Sequence, residues 1–298
     1  MKHKRKHSAK SFALIAITAV ILALVAFIIF RKMQLPVAEH DPNPAGTLSV
    51  HMIDVGQGDA LLIETDGKFA LIDSGPPASK ESLVNYLDRA RVRELEYLIF
   101  THPHEDHIGG GSTILEKFKV KSVILSNGVS KAPIYKKLLK NVQKSGATTL
   151  TPKAGYTFAL GKAVFTVISP LGTQYEGLNE FSTILRLDYG QNSMLFTGDA
   201  ESANENELIV SRYASLLRCD LLKVGHHGSV TSTSDIFLVA VNPKIAFISC
   251  GVDNEYGHPH DEILQKLSTR GCKIYRTDYA GSVVATSDGK TITVKTEG

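Results

Sequence analysis

From about residue 48 onward, short β-rich apolar runs alternate with longer stretches whose apolar residues recur at helical spacing. In the first half the runs at 48–53, 60–64, 69–72, 97–100 and 122–125 predict strands, and Leu, Val and Tyr spaced along 80–90 and 134–144 predict helices. The second half repeats this with strands at 163–168, 183–187, 193–196, 220–224 and 245–249 and helices at 204–213 and 261–269. A closing hairpin pairs 282–286 with 291–294 around Asp288-Gly289. Strands and helices mixed throughout imply an α/β sandwich whose helices cover the outer faces of its sheets. No low-complexity stretch interrupts 48–298, which reads as one domain.

Ahead of that domain the pattern is different. Residues 11–30 carry no charge and are mostly apolar, long enough at about 1.5 Å per residue to span a hydrocarbon core of roughly 30 Å. The run exceeds the apolar region of a cleaved signal, and Arg31-Lys32 follow it without a small-residue cleavage site. The expectation is a basic cytoplasmic tail at 1–10, a single transmembrane anchor at 11–30, a proline-bearing linker at 31–47 and the domain at 48–298. Five basic residues before the span and two after it place the N-terminus in the cytoplasm and the domain outside the cell. Membrane lipid is then a partner of the N-terminal helix; nothing in the sequence calls for an obligate protein partner.

Charge follows this division. Of 33 basic and 30 acidic residues, seven basic ones and no acid fall in 1–32, which leaves 26 against 30 and a net of −4 for the remainder. The outer domain therefore has no global basic field, and nucleic-acid binding would rest on a local patch. Cys219, Cys250 and Cys272 lie in strand-like runs, odd in number and without a CxxC, and read as buried small hydrophobes.

The chemistry concentrates where strands end. Directly after the apolar run ending at Phe100, Thr101-His102-Pro103-His104-Glu105-Asp106-His107 packs three imidazoles and two carboxylates into six residues before Gly109-Gly110. Imidazole and carboxylate are ligands of zinc, manganese and iron, and a solvated histidine-rich turn would not normally sit between a hydrophobic strand and a glycine pair. Asp199, released by Gly198 after Met194-Leu195-Phe196, reads by itself as a helix N-cap. His226-His227-Gly228-Ser229 follows Leu221-Leu222-Lys223-Val224, and His258-Pro259-His260 opens a further loop. Lys223, Ser229, Thr231 and Ser232 supply donors and one positive charge suited to phosphate oxygens, while the Ser/Thr run also reads as the N-cap region of a helix at Asp235-Ile236-Phe237. There is no Gly-x-Ser-x-Gly elbow and no Cys–His nucleophile.

These stretches, together with Asp54-Val55-Gly56-Gln57-Gly58-Asp59-Ala60 and Ile72-Asp73-Ser74-Gly75, resemble the metallo-β-lactamase superfamily, and more narrowly the hydrolase domain of ComEC-type competence proteins. Asn254-Glu255-Tyr256-Gly257-His258-Pro259-His260 and Tyr275-Arg276-Thr277-Asp278 are similar to that branch as well. The resemblance implies a four-layer αββα sandwich with two divalent metal ions, zinc or manganese, at one rim. It implies His102 and His104 on the first ion, Asp106 and His107 on the second, and Asp199 between them. One of His226 and His227 would complete the second site; His226, the first after the strand, is favoured, leaving His227 beside Asp106 and His258 as a catalytic or substrate-facing group. Asp73 would support the histidine loop. No histidine occurs between His107 and His226; Asn179-Glu180-Phe181-Ser182 occupies the equivalent region, so the first ion would be held more openly.

The expected function is a membrane-anchored, extracytoplasmic, metal-dependent phosphodiesterase using metal-activated water, with DNA as substrate because ComEC-type domains are associated with strand degradation during DNA uptake. Too few apolar spans are present for a DNA channel. The same motifs also resemble phosphorylcholine esterases of the cell surface, a second enzyme reading. A metal-bound surface scaffold is the non-enzyme alternative, disfavoured by the nearly complete ligand set.

Overall fold

The computed structural model describes residues 40–151 and 153–297; the expected anchor at 11–30, with the tail before it, lies outside them. Among the described residues no helix is long and apolar enough to cross a membrane. The first six strands, β1 (Leu48–Met52), β2 (Leu61–Thr65), β3 (Lys68–Ile72), β4 (Glu94–Phe100), β5 (Lys119–Leu125) and β6 (Thr148–Leu150), build one sheet. The next seven, β7 (Thr157–Leu160), β8 (Ala163–Ser169), β9 (Ile184–Tyr189), β10 (Asn192–Phe196), β11 (Leu221–Lys223), β12 (Ile245–Ile248) and β13 (Lys273–Arg276), build the second. The closing hairpin, β14 (Val283–Ser287) and β15 (Ile292–Thr296), returns to the first sheet, where β14 pairs antiparallel with β1.

Side-chain alternation explains the layering. Along β1, Leu48, Val50 and Met52 are buried while Ser49 and His51 are less so; along β12, Ile245 and Phe247 face one way and Ala246 and Ile248 the other. The inward sets of both sheets meet in one core that includes Val50, Ile63, Phe165, Leu187, Phe196 and Phe247. A second core lies between the first sheet and helices α1 (Lys80–Arg89), α2 (Glu105–Ile108), α3 (Gly111–Lys117) and α4 (Pro133–Ser145), through residues such as Leu83, Leu87, Ile114 and Leu138. A third joins the second sheet to α5 (Ser202–Ile209), α6 (Asp235–Val241) and α7 (Asp261–Thr269) through Leu208, Phe237, Leu238, Ile263 and Leu267. One further short helix, α8 (Thr277–Ala280), follows β13. The order is helix, sheet, sheet, helix, the αββα sandwich expected.

Local signals set several boundaries. Pro133 opens α4 and Gly146, at φ +71°, ends it in the left-handed conformation that only glycine adopts freely. Ser234 accepts a hydrogen bond from the Phe237 N–H and so caps α6. The helix expected at 204–213 runs instead over Ser202–Ile209, and β6, β7, β13, α2, α3 and α8 were not among the predicted elements. All but the seven-residue α3 have three or four residues, and an element that short carries no full period to read. The three cysteines are free and buried, as expected.

On the helix-covered face of β1, His51 hydrogen-bonds through Nδ1 with the Tyr86 hydroxyl at 2.9 Å, and burial pushes its pKa down to about 4. The unfolded imidazole protonates near 6.5, so the folded state resists a proton that the unfolded state accepts. Stability from this ring is present above about pH 6.5 and is lost as pH falls towards 4, by up to about 1.4 kcal/mol per unit. His51→Gln is expected to flatten the dependence of the melting temperature on pH between 7 and 4.5. Thermal melts across that range check this; parallel curves for variant and wild type would refute it.

Candidate metal centre

Both sheets contain parallel strands, β3-β4-β5-β6 in one and β10-β11-β12-β13 in the other, and the carboxyl ends of the inner ones meet at one rim. Asp73 follows β3, the His102–His107 loop follows β4, Asp199 follows β10, His226-His227 follow β11 and Ser249 follows β12. Backbone bonds tie the loops together: Ser74 N–H donates to His107 O at 2.7 Å, Asp59 N–H to Asp106 O at 3.2 Å and His226 N–H to Gly198 O at 3.1 Å. Gly58 is required at its position, because a Cβ there would stand 2.3 Å from Asp106 O.

Two groups of ligand-type atoms converge on a shared carboxylate. Asp106, His107, Asp199 and His227 form one; His102, His104 and Asp199 form the other, each with its atoms within 4.8 Å of one another. His107 Nε2 lies 3.2 Å and His102 Nε2 3.7 Å from Asp199 Oδ2, while His227 Nε2 lies 3.6 Å from Asp199 Oδ1 and 3.3 Å from Asp106 Oδ2. His107 Nε2, His227 Nε2 and Asp199 Oδ1 are buried without a hydrogen-bond partner. Orphaned polar atoms of this kind are rare in folded proteins, and imidazole nitrogen with carboxylate oxygen is the donor set of a divalent transition metal. The residues fit the two expected ions.

A further layer of contacts orients these rings. Asp73, fully buried, accepts from Thr101 N–H at 2.8 Å and Thr101 Oγ1 at 2.6 Å, and its Oδ2 also meets His107 Nδ1 at 2.8 Å, which turns His107 Nε2 inward. His227 Nδ1 lies 2.9 Å from Ser249 O, with the same effect on its ring. Ser182 Oγ accepts from Asp199 N–H at 3.1 Å, and Asn179 donates to Glu201 Oε1 at 3.0 Å. The Asn179–Ser182 stretch thus stands beside the site but adds no atom to the His102–His104–Asp199 group.

Electrostatics follow from burial and proximity. Burial alone would raise Asp199, but His107, His227 and His102 hold its carboxyl well below the usual range. Burial works against charge on His107 and His227, yet Asp199 above all, with Asp106 beside it, lifts both far above an ordinary imidazole. His102 is pushed well below its ordinary value by burial first, then by His107. The carboxylates thus favour positive charge at a point where a divalent ion would supply it.

The structure places several of these residues otherwise than expected. It sets His227, not the favoured His226, among the grouped ligands; His226 is partly exposed, lies 3.8 Å from Asp199 and leans on Glu201 at 3.2 Å. The reason is local: both residues adopt left-handed φ, +48° and +54°, and this doubled turn carries the second ring inward. Lys223 does not face phosphate; it is fully buried, with Nζ 2.8 Å from Asp59 Oδ2 and donating to Val224 O. Burial first, then His227 and His226 beside it, push the His258 imidazole down to about 4. Ser229 is buried and bonded to Thr231, away from any free donor role.

Asp59, Ser249 and Tyr256 were not singled out from the sequence. Asp59 is fully buried, 3.4 Å from His227 Nδ1 as well as bound to Lys223; its signal lay in a carboxylate flanked only by small residues, Gly58 and Ala60. Tyr256 is exposed, its ring near-parallel to His258 with centroids 5.6 Å apart. A cavity of about 300 Å³ opens over Asp106, Asp199 and His227, walled by His104, His226 and Tyr256.

Residues 53–252 match the metallo-beta-lactamase superfamily. The chain is 32% identical over 252 residues to ComE operon protein 3 of Bacillus subtilis, covering 78% of this chain and 32% of that protein. It is 33% identical over 269 residues to Recombination protein 2 of Haemophilus influenzae, covering 89% of this chain and 31% of that protein. The chain thus spans about a third of the length of these relatives. Among solved structures, the metallo-beta-lactamase fold protein YhfI of Bacillus subtilis superposes with a TM-score of 0.54 at 13% identity, over 81% of this chain and 99% of that one.

The buried Asp59–Lys223 pair yields a stability test. Lys223→Met strands a carboxylate without its counter-charge and is expected to destabilise the fold by about 3–5 kcal/mol, whereas Lys223→Met with Asp59→Leu removes both charges and recovers most of the loss. Denaturant titration of the three proteins decides it; equal losses in single and double variants would show that the pair is not coupled.

Proposed function

The chain belongs to the metallo-beta-lactamase superfamily, and we propose that it is a metal-dependent phosphodiesterase that cuts DNA, held at the outer face of the cell membrane by residues 11–30. The observation that carries the hydrolytic reading is Asp199, a single carboxylate common to the His102–His104 and Asp106–His107–His227 groups. Two divalent ions bound there, zinc or manganese, would supply an acidified water and neutralise charge on a phosphoryl group. His102, His104 and Asp199 would hold one; Asp106, His107, His227 and Asp199 the other. Asp73 and Ser249 fix which nitrogen of His107 and His227 is presented. Asp106, a third of its side chain exposed, and His226 line the cavity where a diester would lie. His258 offers that diester a hydrogen bond.

DNA is favoured by the competence-type motifs and by the name of the Haemophilus influenzae relative, a recombination protein. The exposed ring of Tyr256 at the cavity mouth suits a nucleobase, since base stacking on an aromatic ring contributes about 1–3 kcal/mol. The same ring is the observation that favours a second reading, a phosphorylcholine esterase, because aromatic faces also bind quaternary ammonium groups.

In the metal-loaded full chain, Asp106→Ala and Asp199→Ala are expected to lower turnover by more than the roughly 10–100-fold that loss of an outer hydrogen-bond partner brings, while the protein stays folded. Rates on single-stranded DNA, bis-p-nitrophenyl phosphate and p-nitrophenyl phosphorylcholine, with Mn²⁺ and with Zn²⁺, check this. Undiminished activity in either variant would refute the two-ion centre. Intact DNA beside rapid cleavage of the choline ester would transfer the assignment to the second reading.

A further inference from the structure

A cavity of about 960 Å³ lies at the rim opposite the metal centre, where β10, β11, β12 and β13 begin. Five cations line it, Arg186, Arg218, Lys244, Arg270 and Lys273, against one acid, Asp220. In a domain whose net charge is negative, this is a concentration of positive charge in one concave place. Three of the five are answered by carboxylates: Arg186 by Asp188 at 2.7 Å, Lys244 by Asp220 at 2.9 Å and Arg270 by Asp235 at 3.3 Å. Arg218 and Lys273 enter no ion pair among the described residues, which leaves the cavity with two uncompensated charges. Arg186 also donates to Leu216 O and Arg218 O, so the backbone that carries Arg218 is held in place.

The lining has more than charge. Tyr275, half-buried and packed edge-on against Phe247 at 6.0 Å, presents an aromatic wall, and Ser215, Asn242 and Thr293 add neutral hydrogen-bonding groups. Two free positive charges, an arginine fork, neutral donors and an aromatic surface are the complement of a phosphate attached to a ring system. The volume falls in the range of about 300–1,000 Å³ typical of small-molecule sites. We propose that this cavity binds a nucleoside phosphate, either a free nucleotide or the end of a nucleic-acid strand, through Arg218 and Lys273 with Tyr275 as the stacking wall. None of the metal-centre residues takes part, so the site stands whether or not the metal centre cuts DNA.

The test uses the full chain freed of metal by chelation and desalting, titrated calorimetrically with ADP, a (dT)12 oligonucleotide and inorganic phosphate at 50 and 200 mM NaCl. ADP or (dT)12 is expected to bind more tightly than inorganic phosphate. Arg218→Glu with Lys273→Glu, both at exposed positions, is expected to weaken binding at least tenfold and to lower the slope of log affinity against log salt by about 1.4 for the single-stranded oligonucleotide. Arg218→Gln with Lys273→Gln should weaken it less, and Tyr275→Ala should weaken ADP but not phosphate. Equal binding of ADP and (dT)12 assigns a free nucleotide, and binding of (dT)12 alone assigns a strand end. No binding of either, binding untouched by the double charge reversal, or phosphate binding as tightly as ADP would overturn the proposal. His102→Ala serves as the control: loss of ADP or (dT)12 binding in that variant would place the ligand at the metal centre and overturn it as well.

Discussion

A carboxylate removed from water must be met by positive charge, and the rim of this sandwich is arranged around Asp199, which is almost wholly buried. It comes from the second sheet, yet two of the imidazoles nearest it, His102 and His107, come from the first, and the third, His227, comes from its own sheet. The attraction therefore runs across the junction between sheets. Behind each ring stands a further brace: Asp73 behind His107, and Ser249 with the Lys223-neutralised Asp59 behind His227. Removing the shared carboxylate would take from His107 and His227 the largest of the attractions that favour positive charge on them.

The layers of the fold were legible because both sheets keep a period of two on two buried faces, and α1, α4 and α7 keep an apolar stripe at helical spacing. The boundaries of α7 match the expectation at both ends, since acids at its start and a polar cluster at its end mark them. Elements of three or four residues, such as β6 and α8, were invisible because nothing in so short a run distinguishes a strand from a loop. The αββα order followed from resemblance and is independently visible in the three separate cores.

The site was legible as a set of residues and less so as a set of roles. His102, His104, Asp106, His107 and Asp199 stand together as the motifs imply. The choice within His226-His227 depended on backbone dihedrals, because two successive left-handed residues reverse which ring points inward. Lys223 shows the converse limit: a lysine beside a histidine loop invites a phosphate, but alternation along a buried strand turned it into the interior, where only Asp59 could accept it. Asp59 itself lay among glycines, with no periodicity to mark it.

The pairing of β14 with β1 has a consequence for how such a domain travels between proteins. The first and last strands lie in one sheet, two places apart with β14 between them; β15 runs parallel to β1, so Thr296 stands level with Met52, at the far end of the strands from Leu48. A unit whose first and last strands share one sheet can be joined to further polypeptide without opening its own core. That geometry suits relatives in which the matching segment makes up only about a third of the molecule. The end of β15 shares its cross-strand row with the carboxyl ends of β3 and β4, so the last strand finishes on the rim that carries the candidate metal centre, with β14, β1 and β2 between them.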